Sequence, residues 1–342
     1  LSLATLVEYS RKSFPEGRVR TWTGSAFRDI SFAEIGEQAA QLAHALDGLG
    51  VGRGDRVATF MWNNNEHQVV YAAVPSMGAV LHTLNLRLSP EQAVFILNHA
   101  DDKVILVDAS VAPMLSAYVA QAPGVRHVIV VNGPVESFTA PDWVTVHAYD
   151  EFIAGQPTTY NWPGDIDERS AAVLCYTSGT TGDPKGVVYS HRSIYLHSLT
   201  ATSTTGVGLS NRDSMLAIVP MFHVMSWGLP YAVMMCGATM IMPDRFLQPE
   251  PLLAMMAEGR PTLAAAVPTI ASGWSISSGT GSPDRPNRVP DRMLATMGVV
   301  STALSVLTKP WAVKLPCRAH STDTVTRVHR VSELNTSTSA TD

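Results

Sequence analysis

Cysteine is scarce in this chain of 342 residues: Cys175, Cys236 and Cys317 are isolated, with no C-x-x-C spacing. That excludes a disulfide framework and a thiolate zinc site, and makes a reducing compartment, the cytoplasm, the expected one. Charge is thin as well, at 15% of residues, with a net of -5 and no Lys/Arg block. A nucleic-acid surface is therefore not expected, and a small-molecule partner is. Long apolar runs are also missing. The longest, Leu229 to Met242, contains Gly237 and is too short to span a bilayer comfortably, so it reads as buried core and no transmembrane segment is expected. No secretory signal opens the chain, and the start at Leu1 without methionine reads as non-standard or incomplete. What is plentiful is apolar side chain, 46% of the total, enough for a large core in a length that admits two domains.

Helix and strand patterns alternate along the chain. Ser31 followed by Glu34 is a capping box, and Ile35, Ala39, Leu42, Leu46 and Leu49 then share one helix face that Gly50 can end. Arg56 to Met61 predicts a strand, Asn63-Asn64-Asn65 a turn, and Ser89-Pro90-Glu91-Gln92 a second capped helix start. Lys103 to Val107 and Arg126 to Val131 predict strands flanking a helix. The alternation resumes with Ala171 to Cys175, Val187 to Tyr189, a helix capped by Ser190, a strand Met215 to Val219 and a helix beginning near His223. Such alternation predicts an α/β fold of layered helices and sheets. Residues 133–165, rich in Pro, Gly, Asp and Thr, read as the connection between two sheets.

Between two of these strands lies Tyr176-Thr177-Ser178-Gly179-Thr180-Thr181-Gly182-Asp183-Pro184-Lys185-Gly186. Gly179, Gly182 and Gly186 would let backbone N–H groups approach an anion through positive φ; the hydroxyls add neutral donors and Lys185 a full charge. This suits a polyphosphate such as ATP. It is not G-x-x-x-x-G-K-[ST], because Gly182 precedes Lys185 by three residues and Gly186 follows it, so a different nucleotide family is implied. A polar Thr/Gly hairpin turn is the plainer alternative, disfavoured by eleven residues in this order.

Continued by Val187-Val188-Tyr189-Ser190-His191-Arg192, the run resembles the phosphate-binding motif of the adenylate-forming (AMP-binding) superfamily, in the version found in fatty-acid-CoA ligases. Ser31-Phe32-Ala33-Glu34-Ile35, Gly78-Ala79-Val80 through Asn85-Leu86-Arg87-Leu88, and Val219-Pro220-Met221-Phe222-His223 with Trp227 resemble other family motifs. The resemblance implies part of the large domain of such an enzyme, with one α/β subdomain over residues 1–165 and a second, carrying the loop, over 166–270. It implies activation of a medium- or long-chain fatty acid by ATP, with Mg2+, to an acyl-adenylate, then transfer to CoA. A ligase for an aromatic or other hydrophobic acid, a non-catalytic nucleotide-binding fragment and a pseudogene product are the alternatives. Carried over residue by residue, Thr177 would sit nearest the metal, and Ser178, Thr180, Thr181 and Lys185 would hold the β and γ phosphates. His223 would lie beside the acyl carboxylate and adenylate, and Trp227, four residues on, would share its helix face and wall the acyl channel. Peripheral membrane contact and a homodimer are left open.

From about residue 271 to 342 the composition changes. Ser and Thr crowd it, Pro283, Pro286, Pro290, Pro310 and Pro316 interrupt it, and only Met293 to Leu307 could support a short helix. The family resemblance ends near Ile270, and a disordered or frameshifted tail is expected. The family's Gly-x-Thr-Glu segment, its ribose aspartate and its Asp-Arg-x-x-Asp hinge find no match; Asp244-Arg245, Asp284-Arg285 and Asp291-Arg292 imitate only the first half of the hinge. Lys309 and Lys314 stand outside the family's catalytic context. The chain as given is expected to be inactive.

Overall fold

Ser31 Oγ accepts from Glu34 N at 3.2 Å while Ser31 N donates to the Glu34 carboxylate at 2.8 Å, so the capping box forms as its spacing predicts. The structure, a computed structural model, describes residues 1–177 and 183–265. Its first half runs α1 (Leu3–Ser13), β1 (Arg18–Trp22), β2 (Phe27–Ser31), α2 (Phe32–Gly48), β3 (Arg56–Phe60), α3 (Asn65–Ser76), β4 (Val80–Thr83), α4 (Pro90–Ala100), β5 (Val104–Asp108), α5 (Ala112–Val119), β6 (His127–Val131), β7 (Thr145–Ala148) and α6 (Tyr149–Ile153). There follow β8 (Ala171–Tyr176), β9 (Gly186–Ser190), α7 (His191–Thr202), β10 (Ser214–Ala217), the helix Leu229–Cys236, β11 (Thr239–Met242), the helix Pro249–Gly259 and β12 (Leu263–Ala265).

Seven strands form one sheet in the order β7-β6-β5-β3-β4-β8-β9, parallel except for the antiparallel β8–β9 pair. Five form the other, β12-β10-β11-β1-β2, parallel except for the β1–β2 hairpin. Helices carry the chain between the parallel strands, so the central strands are covered on both faces; every residue of β5 is buried, which is why its sequence is a continuous apolar run rather than an alternation. The stretch 133–165, read above as a link between two sheets, instead contributes β7 and α6 and returns to the same sheet through β8. The early hairpin β1–β2 meanwhile joins the late strands. Sheet membership thus crosses residue 165 in both directions, because β8 finds its partner in β4 and β1 finds its partner in β11.

Every residue of α3 is buried, and the helix touches both β1 and β4. Most of its polar residues are bonded across to their neighbours, as burial favours, while Ser76 Oγ and Gln68 Oε1 are left without a partner among the described residues. Thr21 donates to Asn65 at 2.7 Å, the two Arg28 terminal nitrogens grip the Glu66 carboxylate, His67 bonds Trp62 O at 2.8 Å and Thr59 Oγ1 at 3.0 Å, and Gln68 donates to Pro230 O at 3.2 Å. Beside it Asp108, at the end of β5, accepts from Trp62 N at 2.7 Å and from Asn64 and Asn132 at 3.1 Å. Burial, and then the negative charge of Asp244, push Asp108 up to about 7, and Glu66 adds to the effect.

A raised carboxyl makes stability fall as pH rises, because the unfolded chain ionises near the ordinary 3.8 while the folded one holds its proton up to about 7. Buried His67 and His191 act the opposite way over most of that window, from about pH 4 to the ordinary 6.5, since desolvation lowers each to about 4 and the unfolded chain then binds the extra proton. The difference between wild type and Asp108→Asn isolates the carboxyl. Its melting temperature relative to the variant is expected to decline between about pH 4 and about pH 7; parallel curves for the two proteins contradict the assignment.

Candidate functional site

The hydroxyl-rich run leaves β8 at Tyr176–Thr177 and enters β9 at Lys185–Gly186, with Tyr176 opposite Gly186 in an antiparallel register. Two bonds close the neck: Thr177 N donates to Lys185 O at 3.0 Å, and Lys185 N donates to Thr177 Oγ1 at 3.3 Å. Thr177, Asp183 and Lys185 are exposed and Pro184 is buried, so the neck is anchored while a hydroxyl and an ammonium face solvent side by side. Ser178, Gly179, Thr180, Thr181 and Gly182 lie outside the described residues. Gly186 does not take the positive φ expected of it. It is a strand residue whose missing side chain makes room for others: a Cβ there would come within 3.2 Å of Leu174 and 3.4 Å of the Tyr176 ring. Tyr176 is fixed at its other end by the 2.7 Å bond between its hydroxyl and His99 Nδ1.

A second segment is brought to the same place from the other sheet. Asn63 donates to the carbonyls of Ala217 and Val219 at 2.9 Å and accepts from Met221 N at 2.7 Å, while Tyr71 donates to Met221 O at 2.7 Å. These bonds seat Phe222 in the core cluster against which Tyr176 also packs, and Thr83 Oγ1 meets both Cys175 Sγ at 3.3 Å and Phe222 O at 3.5 Å, so the segment leading to His223 runs beside the end of β8. His223 is exposed, and desolvation by its neighbours, then the positive charge of Arg87, lower its pKa. The structure thus joins Thr177 to Lys185 and brings the segment before His223 to the neighbouring strand end. The Asn63 and Tyr71 staples carry no motif signal; the Asn63-Asn64-Asn65 cluster reads as a turn and only the fold shows that it ties the sheets together.

The helix predicted to begin near His223 does not form there. Val224, Met225, Ser226 and Trp227 all have positive φ, from 47° to 57°, and make a single left-handed turn; the right-handed helix starts only at Leu229. The right-handed backbone on which the expected shared helix face of His223 and Trp227 depends therefore does not form there. Left-handed backbone costs roughly 1–2 kcal/mol per residue, so the turn needs holding from outside. Ser226 donates to Val219 O at 2.8 Å, His197 Nε2 meets Trp227 O at 2.8 Å, and the buried Cys175 thiol lies against the N–H groups of Met225 and Val224. Burial nevertheless dominates at Cys175 and pushes its thiol up to about 11, which keeps it an uncharged, unreactive support.

Gly228 closes this turn at φ 72°, and a Cβ on it would lie 2.5 Å from the His197 ring. Gly228→Ala is expected to lose stability by more than the roughly 1 kcal/mol typical of a strained backbone substitution. Gly50→Ala is the control, because Gly50 has φ 76° but open space around it. Urea denaturation should find the Gly228 variant the weaker of the two; equal losses would mean that His197 does not fix the turn.

Fold and site together define a class: an α/β protein that presents a threonine- and lysine-bearing loop between paired strands, beside a histidine segment delivered from a second sheet. The chain belongs to the AMP-binding enzyme family, whose profile matches residues 8–320. That match continues past Ile270, where the motif resemblance ends. The chain is 40% identical over 276 residues to 3-methylmercaptopropionyl-CoA ligase of Ruegeria pomeroyi, covering 80% of this chain and 50% of that one. It is 43% identical over 251 residues to long-chain-fatty-acid–CoA ligase of Thermus thermophilus, covering 73% and 44%. Among solved structures, a long-chain-fatty-acid-CoA ligase from Archaeoglobus fulgidus superposes with a TM-score of 0.72 at 23% identity, over 82% of this chain and 54% of that one, and shows the same fold. The chain spans about half the length of the curated relatives it matches.

Proposed function

We propose that this chain carries the nucleotide-phosphate site of an ATP-dependent, AMP-forming acyl-CoA ligase. The observation that supports it most is the closed neck of the loop, where Thr177 and Lys185 are bonded to one another and exposed at the ends of paired strands. In the whole reaction a carboxylate oxygen attacks the α-phosphorus of ATP, the bond to the bridging oxygen breaks, and pyrophosphate leaves with the growing charge; a thiol later displaces AMP from the acyl-adenylate. Lys185 would meet that charge, and fixed donors aimed at developing charge are what accelerates such steps. His223, kept largely neutral by its surroundings, would face the adenylate, and Trp227 would border the acyl chain.

Mg2+ would enter on the phosphates. The Thr177 hydroxyl is an oxygen donor of the kind this ion takes, although it already accepts from Lys185 N, and among the described residues no cluster of three acidic, imidazole or thiol side chains exists to hold a metal. The ion, when bound, would neutralise phosphate charge.

We infer a medium- or long-chain fatty acid as the acid, on the identity to the Thermus ligase. The comparable identity to a ligase for 3-methylmercaptopropionate favours a second reading, a short thioether acid, with CoA as the acceptor in both. Saturable binding of ATP by the full chain is the first test of the proposal, and absence of any binding contradicts it.

A further inference from the structure

We propose that His127 and His147 form a two-imidazole site for a divalent transition metal of the zinc or nickel class, on the rim of the seven-stranded sheet and independent of the nucleotide loop. The two residues come from parallel neighbours, β6 and β7. His127 stands opposite Thr145 and His147 opposite Ile129, which makes the two histidines a diagonal pair on one face. Nδ1 of His127 and Nε2 of His147 are 3.3 Å apart. Two imidazole nitrogens bound to one tetrahedral zinc at 2.0–2.1 Å are separated by about 3.3 to 3.4 Å, so the rings already stand at the bite of the metal.

Both histidines are half-buried, and desolvation lowers the pKa of each, with the charge of His127 adding to the effect at His147. Phe152 packs against His147 with ring centroids 5.1 Å apart and restrains it from swinging into solvent. Without metal, one ring donates its N–H to the other. On loading, that proton moves by exchange with water to the far nitrogen of its own ring, leaving two lone pairs for the ion and no net change in protonation. Among the described residues no third ligating side chain completes a cluster, so water would fill the remaining positions. Because β7 is the edge of its sheet, a bound ion would clip that edge to β6.

The test is a titration of the tag-free full chain with ZnCl2 and, separately, NiCl2, followed by calorimetry and thermal melting. One equivalent should bind and raise the melting temperature. His127→Ala and His147→Ala should each weaken binding by more than the roughly 10- to 100-fold that loss of a merely supporting partner costs. A chain that takes up no metal, or affinity unchanged in both variants, overturns the proposal. Should either variant fail to fold, wild-type imidazole NMR decides: substoichiometric Ni2+ should broaden the ring signals of His127 and His147 first, and earlier broadening at another histidine overturns it.

Discussion

Lys185→Ala is expected to weaken ATP binding by the full chain roughly 10- to 150-fold, the equivalent of about 1.5–3 kcal/mol for removing one charge-assisted hydrogen bond to a phosphate. The residue is exposed and its side chain makes no bond to the protein among the described residues, whereas its backbone closes the neck of the loop. Alanine keeps that backbone, so the variant's stability should stay within about 0.5 kcal/mol of wild type, the usual range for a surface change. Weaker binding with retained stability is therefore the signature of a side chain that meets phosphate. Calorimetric titration with ATP measures it, and an affinity equal to that of wild type would remove Lys185 from the site.

The other large effect is on turnover. The 342-residue chain by itself is expected to bind ATP without making acyl-CoA. Its sequence has no counterpart of the family's metal-binding glutamate, ribose aspartate or catalytic lysine, and three missing charge-assisted partners at about 1.5–3 kcal/mol each amount to about 4.5–9 kcal/mol. At 1.36 kcal/mol per power of ten, the rate should fall by roughly 10^3 to 10^6 relative to an intact ligase. Incubation with ATP, Mg2+, CoA and dodecanoate, or 3-methylmercaptopropionate in a parallel arm, while pyrophosphate and acyl-CoA are followed, tests this. Turnover within tenfold of an intact ligase would mean that the chain supplies those groups from residues the motifs do not mark.

Local signals in the sequence translated directly into structure. The Ser31/Glu34 and Ser89/Gln92 caps, the β-branched strands and the Ser190 helix start depend on neighbours in the chain, and each forms. The hydroxyl- and glycine-rich run between β8 and β9 stands out for the same reason, since its character is compressed into eleven consecutive residues. What could not be read depends on partners distant in sequence. The hairpin Arg18–Ser31 joins strands more than two hundred residues later, and nothing in its own alternation names Met240 or Ile241 as its neighbours. Asn63 looks like a turn former until the carbonyls of Ala217 and Val219 are seen to need its amide. Apolar spacing after His223 suggests an ordinary helix, yet Ser226, His197 and Cys175 together hold the backbone in the opposite hand. Non-local hydrogen bonds overrode local propensity there.

The central claim is that nucleotide phosphates meet the neck between β8 and β9. Amide hydrogen exchange of the full chain, with and without ATP and Mg2+, tests it most directly. The account predicts slowed exchange at Thr177 and Lys185, whose N–H groups close the neck, with smaller changes along the Met221–His223 segment that leads past the end of β8. Protection confined to another part of the chain, with the exchange of Thr177 and Lys185 untouched by saturating ATP, would contradict it.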